Sequence, residues 1–259
     1  MKYLKHRVRA GEILLGTFVN LGSPLTAEII GSAGYDWALI DLEHGAGDEG
    51  AVLPQIQALE STPAVALVRV ESDNRPRFHR VLDFGAGGVM VPRVDCVEQA
   101  EKVVACMHYP PRGIRGVAQM NRACDFGKSF AEYTKTAEEQ LLCIVQIESP
   151  AAVQNAAAIA SVKGVDVLFV GPVDLSFSMG IGGQFEAPQF IDALQTVAVA
   201  VRNAGKAAGI LLKSPQDAPR LVEIGYRFLG CGSDGGLLRA VAGSQFDALR
   251  NCTQPNARK

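Results

Sequence analysis

The chain has 259 residues, of which 48% are hydrophobic and 20% are charged, and its formal net charge at pH 7 is −2. This composition is typical of a globular protein and excludes a disordered or fibrous chain. A charge so near zero gives no reason to expect nucleic acid or a membrane surface as a partner. The length allows one large domain, and (β/α)8 barrels commonly have about 250 residues.

No apolar run reaches the roughly 18 residues that a membrane span needs, and the N-terminal segment lacks the apolar region of a signal peptide. The six cysteines contain no CxxC pair and no metal-ligand spacing. We therefore expect reduced thiols and a cytoplasmic protein.

Short apolar strands alternate with amphipathic helices along the whole chain. Strands are predicted at 16–21, 37–45, 64–70, 87–94, 141–147, 166–171, 207–212 and 228–232. A helix is predicted after each strand; the first has Ser23 as its N-cap and Pro24 at its first position, and the last runs from about Gly235 to Arg250. This pattern predicts a single (β/α)8 barrel domain over 1–259, with a doubly wound open sheet as the alternative.

Two connections, 110–129 and 176–190, are longer than the usual link between elements. Long loops in a compact barrel are usually functional.

Two carboxylates end neighbouring strands of the predicted barrel. Glu148 follows the apolar run LLCIVQI, and Asp174 follows DVLFVG. Because the carboxyl ends of parallel strands face one mouth, we expect both side chains to lie there. Carboxylate oxygens suit a hard divalent cation such as Mg²⁺ or Mn²⁺. The alternative is that Glu148 caps the next helix and Asp174 forms a turn.

Other polar side chains are predicted at the same mouth: Asp41, Glu43, His44, Arg69, Arg93, Gln146 and Lys213. His44 lies beside carboxylates, where an imidazole serves as a general base; a satisfied histidine at a strand end is the alternative. Strand alternation points Arg69 inward, where an arginine usually meets an anion; a pair with Glu71 is the alternative.

The segment GPVDLS predicts a carboxylate-binding site formed by Gly171, Val173 and Asp174, because backbone amides at the start of a turn or helix face outward. An ordinary Gly-Pro turn is the alternative. Four cations, Arg93, Arg115, Arg122 and Lys213, are predicted around the mouth and its long loop. They favour an acceptor that carries a carboxylate, although each could be a solvated surface charge.

Several motifs, read together, resemble a known family. They are DLEHG (41–45), VRV (68–70), VPRV (91–94), YPPRGIRGVA (109–118), VQIES (145–149) and GPVDLSFSMG (171–180). Their order and spacing, from about Gly16 to about Gly236, resemble those of the HpcH/HpaI family of class II pyruvate aldolases.

The resemblance implies a (β/α)8 barrel whose last helix packs onto a partner subunit, in a hexamer built as a trimer of dimers. It implies that Glu148 and Asp174 bind Mg²⁺ or Mn²⁺, with Co²⁺ as a further candidate. It also implies substrate contacts from Gln146, Val173 and Asp174, with His44 as proton acceptor and Arg69 as transition-state stabiliser. Asp83 would raise the basicity of the histidine from a neighbouring subunit, a role that rests wholly on the resemblance.

The implied reaction is reversible cleavage of a 4-hydroxy-2-oxo acid to pyruvate and an aldehyde through a pyruvate enolate. Two alternatives stay open at this point. One is a carbon–carbon-forming synthase on the same site, such as a citrate-forming condensation in siderophore synthesis. The other is a non-catalytic barrel that binds a 2-oxo acid, although such a barrel needs no base beside a metal site.

Overall fold

A computed structural model describes residues 2–253 of the chain. Its eight parallel strands pair in sequence order, and β8 pairs with β1 to close a barrel. The strands are β1 (Leu14–Val19), β2 (Trp37–Asp41), β3 (Val65–Arg69), β4 (Gly88–Val91), β5 (Leu142–Ile147), β6 (Val167–Val170), β7 (Ala207–Leu212) and β8 (Tyr226–Ser233). The (β/α)8 prediction is confirmed, and the open sheet is excluded. The predicted 1–259 domain includes residues 1 and 254–259, which lie outside the described residues.

The helices surround this barrel. They are α1 (Lys5–Arg9), α2 (Pro24–Ser32), α3 (Val52–Glu60), α4 (Arg75–Asp83), α5 (Val97–Met107), α6 (Phe130–Gln140), α7 (Pro150–Gln154), α8 (Ala156–Ser161), α9 (Pro172–Ser178), α10 (Pro188–Asn203), α11 (Ala218–Ile224) and α12 (Asp234–Thr253). The Ser23 side chain caps α2, as predicted. The single helix expected between β5 and β6 is broken at Asn155 into two. Among residues 2–253, no helix is both long and apolar enough to span a bilayer.

Aromatic side chains fill the barrel interior. Trp37 stacks on Phe228 with ring centroids 4.5 Å apart, and Phe18 and Phe169 pack against the pair. Gly16 leaves room for this cluster, because a Cβ there would overlap the Trp37 ring. The inward glycine therefore leaves the space that the large Trp37 ring fills.

Helix α1, which the sequence pattern did not predict, closes the bottom of the barrel. Leu4 and Val8 join the apolar cluster of the interior. The buried ammonium of Lys5 contacts Asp166 at 2.9 Å and donates to two backbone carbonyls, those of Glu138 and Leu141. A buried charge is tolerated when it is paired and hydrogen-bonded in this way. This end of the barrel is therefore filled, and the carboxyl ends of the strands lie at the opposite end.

Helix α12 is anchored at its first residue and exposed along the rest. The buried Asp234 accepts hydrogen bonds from the backbone amides of Asn20 and Leu21, at 2.9 and 3.3 Å, and from the Thr26 hydroxyl at 2.8 Å. The exposed apolar residues of the helix are Leu237, Leu238, Val241, Phe246 and Leu249. On the adjoining β1 and α2, Leu15, Leu25 and Ile29 are exposed too. Within one subunit, α12 leaves this apolar surface uncovered.

Candidate active site

Strand alternation directs three polar side chains into the top layer of the barrel. Asp41, Arg69 and Gln146 each follow inward-facing core residues at a spacing of two, and all three are buried. Asp41 and Arg69 are also register partners on β2 and β3. The three side chains therefore meet inside the mouth.

Arg69 is held by a two-point hydrogen bond to Asp41. Its Nε donates to Oδ1 at 2.9 Å, and its Nη2 donates to Oδ2 at 2.7 Å. Its Nη1 lies 2.9 Å from Glu43 Oε2, without hydrogen-bond geometry, and 3.5 Å from Gln146 Oε1. Burial would lower the pKa of Arg69, but the hydrogen bonds and charge of Asp41 outweigh it, and the pKa lies above its ordinary value. Arg69 is thus a permanent cation at the mouth.

The inward direction predicted for Arg69 is confirmed. The alternative pair with Glu71 is wrong, because Glu71 binds Arg77 instead, with Nη2 at 2.6 Å from Oε1. The Arg69 guanidinium also covers the Phe18 ring, 5.1 Å from its centroid.

Asp41 is a site residue whose role the sequence analysis missed. Besides Arg69, its Oδ1 accepts the backbone amides of Glu43 at 3.0 Å and His44 at 3.3 Å. Burial would raise the pKa of Asp41, but Arg69 outweighs burial, and the pKa lies below its ordinary value. The signal was present, since Asp41 ends β2 on the inward face, opposite Arg69.

Glu148 is buried and oriented from both sides. Its Oε1 accepts from Gln146 Nε2 at 2.8 Å, and its Oε2 accepts from the backbone amide of Arg93 at 3.1 Å. Arg93 adopts φ +55°, a left-handed conformation that a non-glycine residue rarely takes outside strained sites. Glycine at 171 leaves room for the carboxylate, which a Cβ there would overlap.

The capping alternative for Glu148 is wrong. The N-cap of α7 is Ser149, whose hydroxyl accepts the amide of Ala152 at 3.0 Å. Asp174 lies in the first turn of α9 rather than in an isolated turn. Both carboxylates are therefore available for chemistry at the mouth.

Glu148 and Asp174 act on each other electrostatically. Burial, and then the like charge of Asp174, raise the pKa of Glu148 to about 7. The pKa of Glu43 is also raised, because burial outweighs the opposing effect of the positive charges of Arg69 and His44. Two carboxylates that share one site in this way favour a positive charge between them.

The segment predicted to bind a carboxylate forms the start of α9. Gly171 is the N-cap of the helix, and Val173 and Asp174 lie in its first turn. The first amides of a helix have no acceptor within the helix, so they are free to bind a ligand. The ordinary Gly-Pro turn is therefore excluded.

His44 and Asp83 lie in different environments. His44 follows β2 and is held through its backbone amide by Asp41. Asp83 ends α4, where its Oδ1 accepts from Arg115 Nη2 at 2.8 Å. Among the residues described for one subunit, Asp83 forms no hydrogen bond or ion pair with His44. Its proposed role requires a second subunit.

Two of the four cations predicted around the mouth are used inside the fold. Arg115 is fully buried, paired with Asp83 and packed on Tyr109, with its Cζ 4.5 Å from the ring centroid. Arg122 pairs with Glu60. The prediction that both add charge at the mouth is wrong. Arg93 and Lys213 have exposed side chains without an ion pair among residues 2–253.

The sequence profile described as HpcH/HpaI aldolase/citrate lyase matches residues 14–240, which include the barrel and the whole candidate site. The chain belongs to this family.

Individual proteins similar to this chain over most of its length support this assignment. A hydroxypyruvate/pyruvate aldolase of Agrobacterium fabrum is 39% identical over 231 residues, which cover 89% of this chain and 86% of that protein. A 5-keto-4-deoxy-D-glucarate aldolase of Klebsiella pneumoniae is 36% identical, with 95% and 96% covered. The crystal structure of a family member from Burkholderia cenocepacia superposes with a TM-score of 0.91 at 36% identity, covering 95% of this chain and 98% of that one.

Proposed function

We propose that the protein is a divalent-metal-dependent aldolase that reversibly cleaves a 4-hydroxy-2-oxo acid to pyruvate and an aldehyde. The observation that supports it best is the buried Glu148, which lies beside Asp174 and is linked through Gln146 to Arg69. A carboxylate pair, an inward cation and a nearby histidine are the groups that enolate chemistry needs. The aldolase names of the relatives support the same reaction.

The donor set fits a hard cation that keeps much of its own hydration. Among residues 2–253, no three His, Cys, Asp or Glu side chains form a ready-made metal cluster. Mg²⁺ commonly uses one or two carboxylates plus water and substrate oxygens, and Mn²⁺ shares this oxygen preference. Glu148 and Asp174 would hold it, and the elevated pKa of Glu148 fits a site built for a bound positive charge. Such a cation supplies Lewis-acid withdrawal of electrons from a bound 2-oxo acid.

The protein's own residues would carry out the remaining steps. In the cleavage direction, His44 accepts the proton of the C4 hydroxyl, through a water molecule, and the C4 carbonyl forms. The C3–C4 bond breaks, and its electron pair passes into an enolate whose oxygen is stabilised by Arg69. Return of a proton to C3 gives pyruvate. Gln146 and the first-turn amides of α9, from Val173 and Asp174, orient the acid.

The two alternative functions are weaker. A carbon–carbon-forming synthase would keep the same residues, but the relatives reported above are aldolases. A non-catalytic barrel would need neither the fixed Arg69 nor His44 at the mouth.

We further propose a homo-oligomer, as large as a hexamer, in which α12 covers the exposed apolar surface of another subunit. The uncovered Leu238, Phe246 and Leu249 of α12 and Leu25 and Ile29 of α2 support this. In the same assembly Asp83 would approach His44 of a neighbouring copy. The six free cysteines support a reducing compartment, for which we propose the cytoplasm.

The direct test is exchange of the methyl protons of pyruvate in D₂O, followed by NMR, with Mg²⁺ or Mn²⁺ and then with EDTA. We expect exchange that requires the metal and is lost in Glu148→Gln. The matched control is Glu132→Gln, which changes an exposed carboxylate on α6. Absence of exchange under either metal would exclude the enolate mechanism, and equal loss in both variants would exclude a specific role for Glu148.

A further inference from the structure

Arg93, in the loop after β4, combines a strained backbone with a side chain that has no partner. Its φ of +55° lies in the left-handed region, which only two other non-glycine residues among 2–253 adopt, Asp125 and Phe126. Its side chain is exposed and forms no ion pair within the same part of the chain. Strained backbone of this kind persists only where the surrounding structure imposes it, and it is concentrated at functional sites. The reason for the strain at Arg93 therefore lies in its backbone contacts.

The hydrogen-bond ladder between β4 and β5 changes at this residue. Continued without a break, the parallel register of the two strands would place the Arg93 amide on the backbone carbonyl of Gln146. The amide of Val94 binds that carbonyl instead, at 3.1 Å. The left-handed conformation thus turns the Arg93 amide out of the ladder, and the amide donates to Glu148 Oε2 at 3.1 Å.

The hydrogen bond from Arg93 completes the support of the buried Glu148 carboxylate. The other oxygen, Oε1, accepts from Gln146 Nε2 at 2.8 Å and lies against Gly171, where a Cβ would overlap it. Each oxygen therefore has one donor from the protein and keeps a lone pair for a further bond. The orientation of the carboxylate is thus set by the protein from both sides.

We propose that the left-handed backbone at Arg93 orients Glu148 for the divalent cation, and that Arg93 acts through its amide and not through its charge. The inference rests on the proposed metal-dependent function. Because the amide holds Oε2 and Gln146 holds Oε1, the carboxylate does not have to reorder when the cation binds. Groups that orient a metal-binding carboxylate without touching the metal typically contribute about 10- to 100-fold to metal affinity. Arg93 is therefore a positioning residue.

Two substitutions separate the backbone of Arg93 from its side chain. Arg93→Asn removes the charge but tolerates the left-handed region, whereas Arg93→Val introduces a β-branched residue that is an outlier there. The measurement is the dissociation constant of Mn²⁺, obtained from the EPR signal of the free ion. We expect it to stay within about twofold in Arg93→Asn and to rise by at least about tenfold in Arg93→Val. Equal losses in both variants would assign the effect to the charge and overturn the inference.

The matched control places the same β-branched residue at a strained position away from the mouth. Asp125 is exposed and has φ +48°, and it lies in the connection between α5 and α6, at the amino ends of the strands. We expect Asp125→Val to lower the Tm without changing the Mn²⁺ dissociation constant. If Asp125→Val weakened Mn²⁺ binding as much as Arg93→Val, loss of stability would explain both results, and the inference would fail.

A second measurement removes only the N–H group. An α-hydroxy analogue of a lysine derivative, incorporated at position 93, replaces the peptide bond between Pro92 and Arg93 by an ester. The reference is the same lysine derivative with its amide intact. Because the ester cannot donate to Glu148, we expect Mn²⁺ to bind about tenfold more weakly than in the reference. Equal affinities would overturn the inference even if Arg93→Val fails to fold.

Failure of the proposed function gives a different pattern of results. If the unaltered protein binds no Mn²⁺ and exchanges no pyruvate protons, the metal-dependent aldolase function is refuted, and this inference with it. If the unaltered protein binds Mn²⁺ and exchanges pyruvate protons, but Arg93→Val and the ester bind Mn²⁺ as tightly as their references, only the positioning role of Arg93 is refuted.

Discussion

Asp41 and Arg69 are register partners on neighbouring strands and are joined by two hydrogen bonds, at 2.9 and 2.7 Å. The fork of the guanidinium matches both carboxylate oxygens, which leaves Nη1 directed away from Asp41. Nη1 lies beside Glu43 and Gln146 in the barrel mouth, where the proposed reaction would develop negative charge.

Replacement of Arg69 by lysine should keep the positive charge but lose the two-point hydrogen bond to Asp41. A lysine ammonium is a point charge without the planar fork, so it cannot bind Asp41 at two points and also reach the substrate. We expect pyruvate proton exchange to fall by about 100-fold, in the range seen when an electrostatic stabiliser of a developing anion is removed. Exchange rates and circular dichroism of the same preparation provide the measurement. The matched control is Arg77→Lys, which changes a half-buried arginine that pairs with Glu71 and Glu49; equal losses in both variants would contradict the prediction.

Metal binding should strengthen as pH rises from 6 to 8. The pKa of Glu148 is raised from 4.5 to about 7 in the metal-free fold, and a cation binds the carboxylate rather than the acid. We expect the rise in Tm on adding Mg²⁺ to be larger at pH 8 than at pH 6. In Glu148→Gln the rise should be absent at both values; a rise of equal size in this variant would contradict the assignment.

The same carboxylate should make the metal-free protein less stable as pH increases. Its pKa is higher in the folded state, so the folded chain holds a proton that the unfolded chain releases above about 4.5. The stability that Glu148 contributes is therefore present below pH 4.5 and lost as pH rises towards 7. The difference in unfolding free energy between Glu148→Gln and the unaltered protein should accordingly grow across this window. Urea unfolding at several pH values in EDTA measures it, and a constant difference would show that the pKa is unshifted.

Asp83 and His44 should complement each other between subunits. We expect His44→Ala and Asp83→Asn each to lose most pyruvate exchange alone. Oligomers formed by refolding the two variants together contain sites with His44 from one chain and Asp83 from the other, and these should recover activity. Because Asp83 also pairs with the buried Arg115, the Tm of Asp83→Asn must be measured first. No recovery in mixed oligomers would show that Asp83 does not act across the interface.

Helix α12 should be needed for assembly. Phe246→Glu places a charge on its exposed apolar surface, where Phe246 is 63% exposed in one subunit. If another subunit covers that surface, burying an unpaired carboxylate there costs several kcal/mol, and the mass measured by light scattering should fall towards that of a monomer. Asn251→Glu, on the other side of the same helix, should leave the mass unchanged. An unaltered mass in Phe246→Glu would argue against the interface.

Closure of the barrel bottom should depend on Lys5. Lys5→Met leaves Asp166 buried without its partner, which costs about 3–5 kcal/mol of unfolding free energy. The control Arg9→Met breaks an exposed pair with Glu139, worth about 0–1 kcal/mol. Urea unfolding measures the unfolding free energy of each variant. Equal losses would show that the buried pair contributes no more stability than the exposed one.

Much of the fold could be predicted from local pattern. Apolar runs of strand length, bounded by Gly, Pro and acidic residues, predict strands, and the alternation with helices predicts a parallel barrel. Alternation within β3 also gave the correct inward direction of Arg69. Helix α1 was missed because a segment of five residues, four of them basic, shows no helical period. The ion pair of Lys5 with Asp166, far along the chain, holds the helix against the barrel.

Part of the candidate site also follows from local sequence pattern, and the rest depends on tertiary packing. The sequence by itself determined the family and the positions of Glu148, Asp174 and His44 at strand ends, because parallel strands place their carboxyl ends at one mouth. Only the tertiary structure decided which charges are free there. Arg115 and Arg122 form ion pairs with Asp83 and Glu60, respectively. The backbone amide of Arg93 donates a hydrogen bond to Glu148. Such pairings join residues distant in sequence, and their geometry depends on register and packing that no local pattern records.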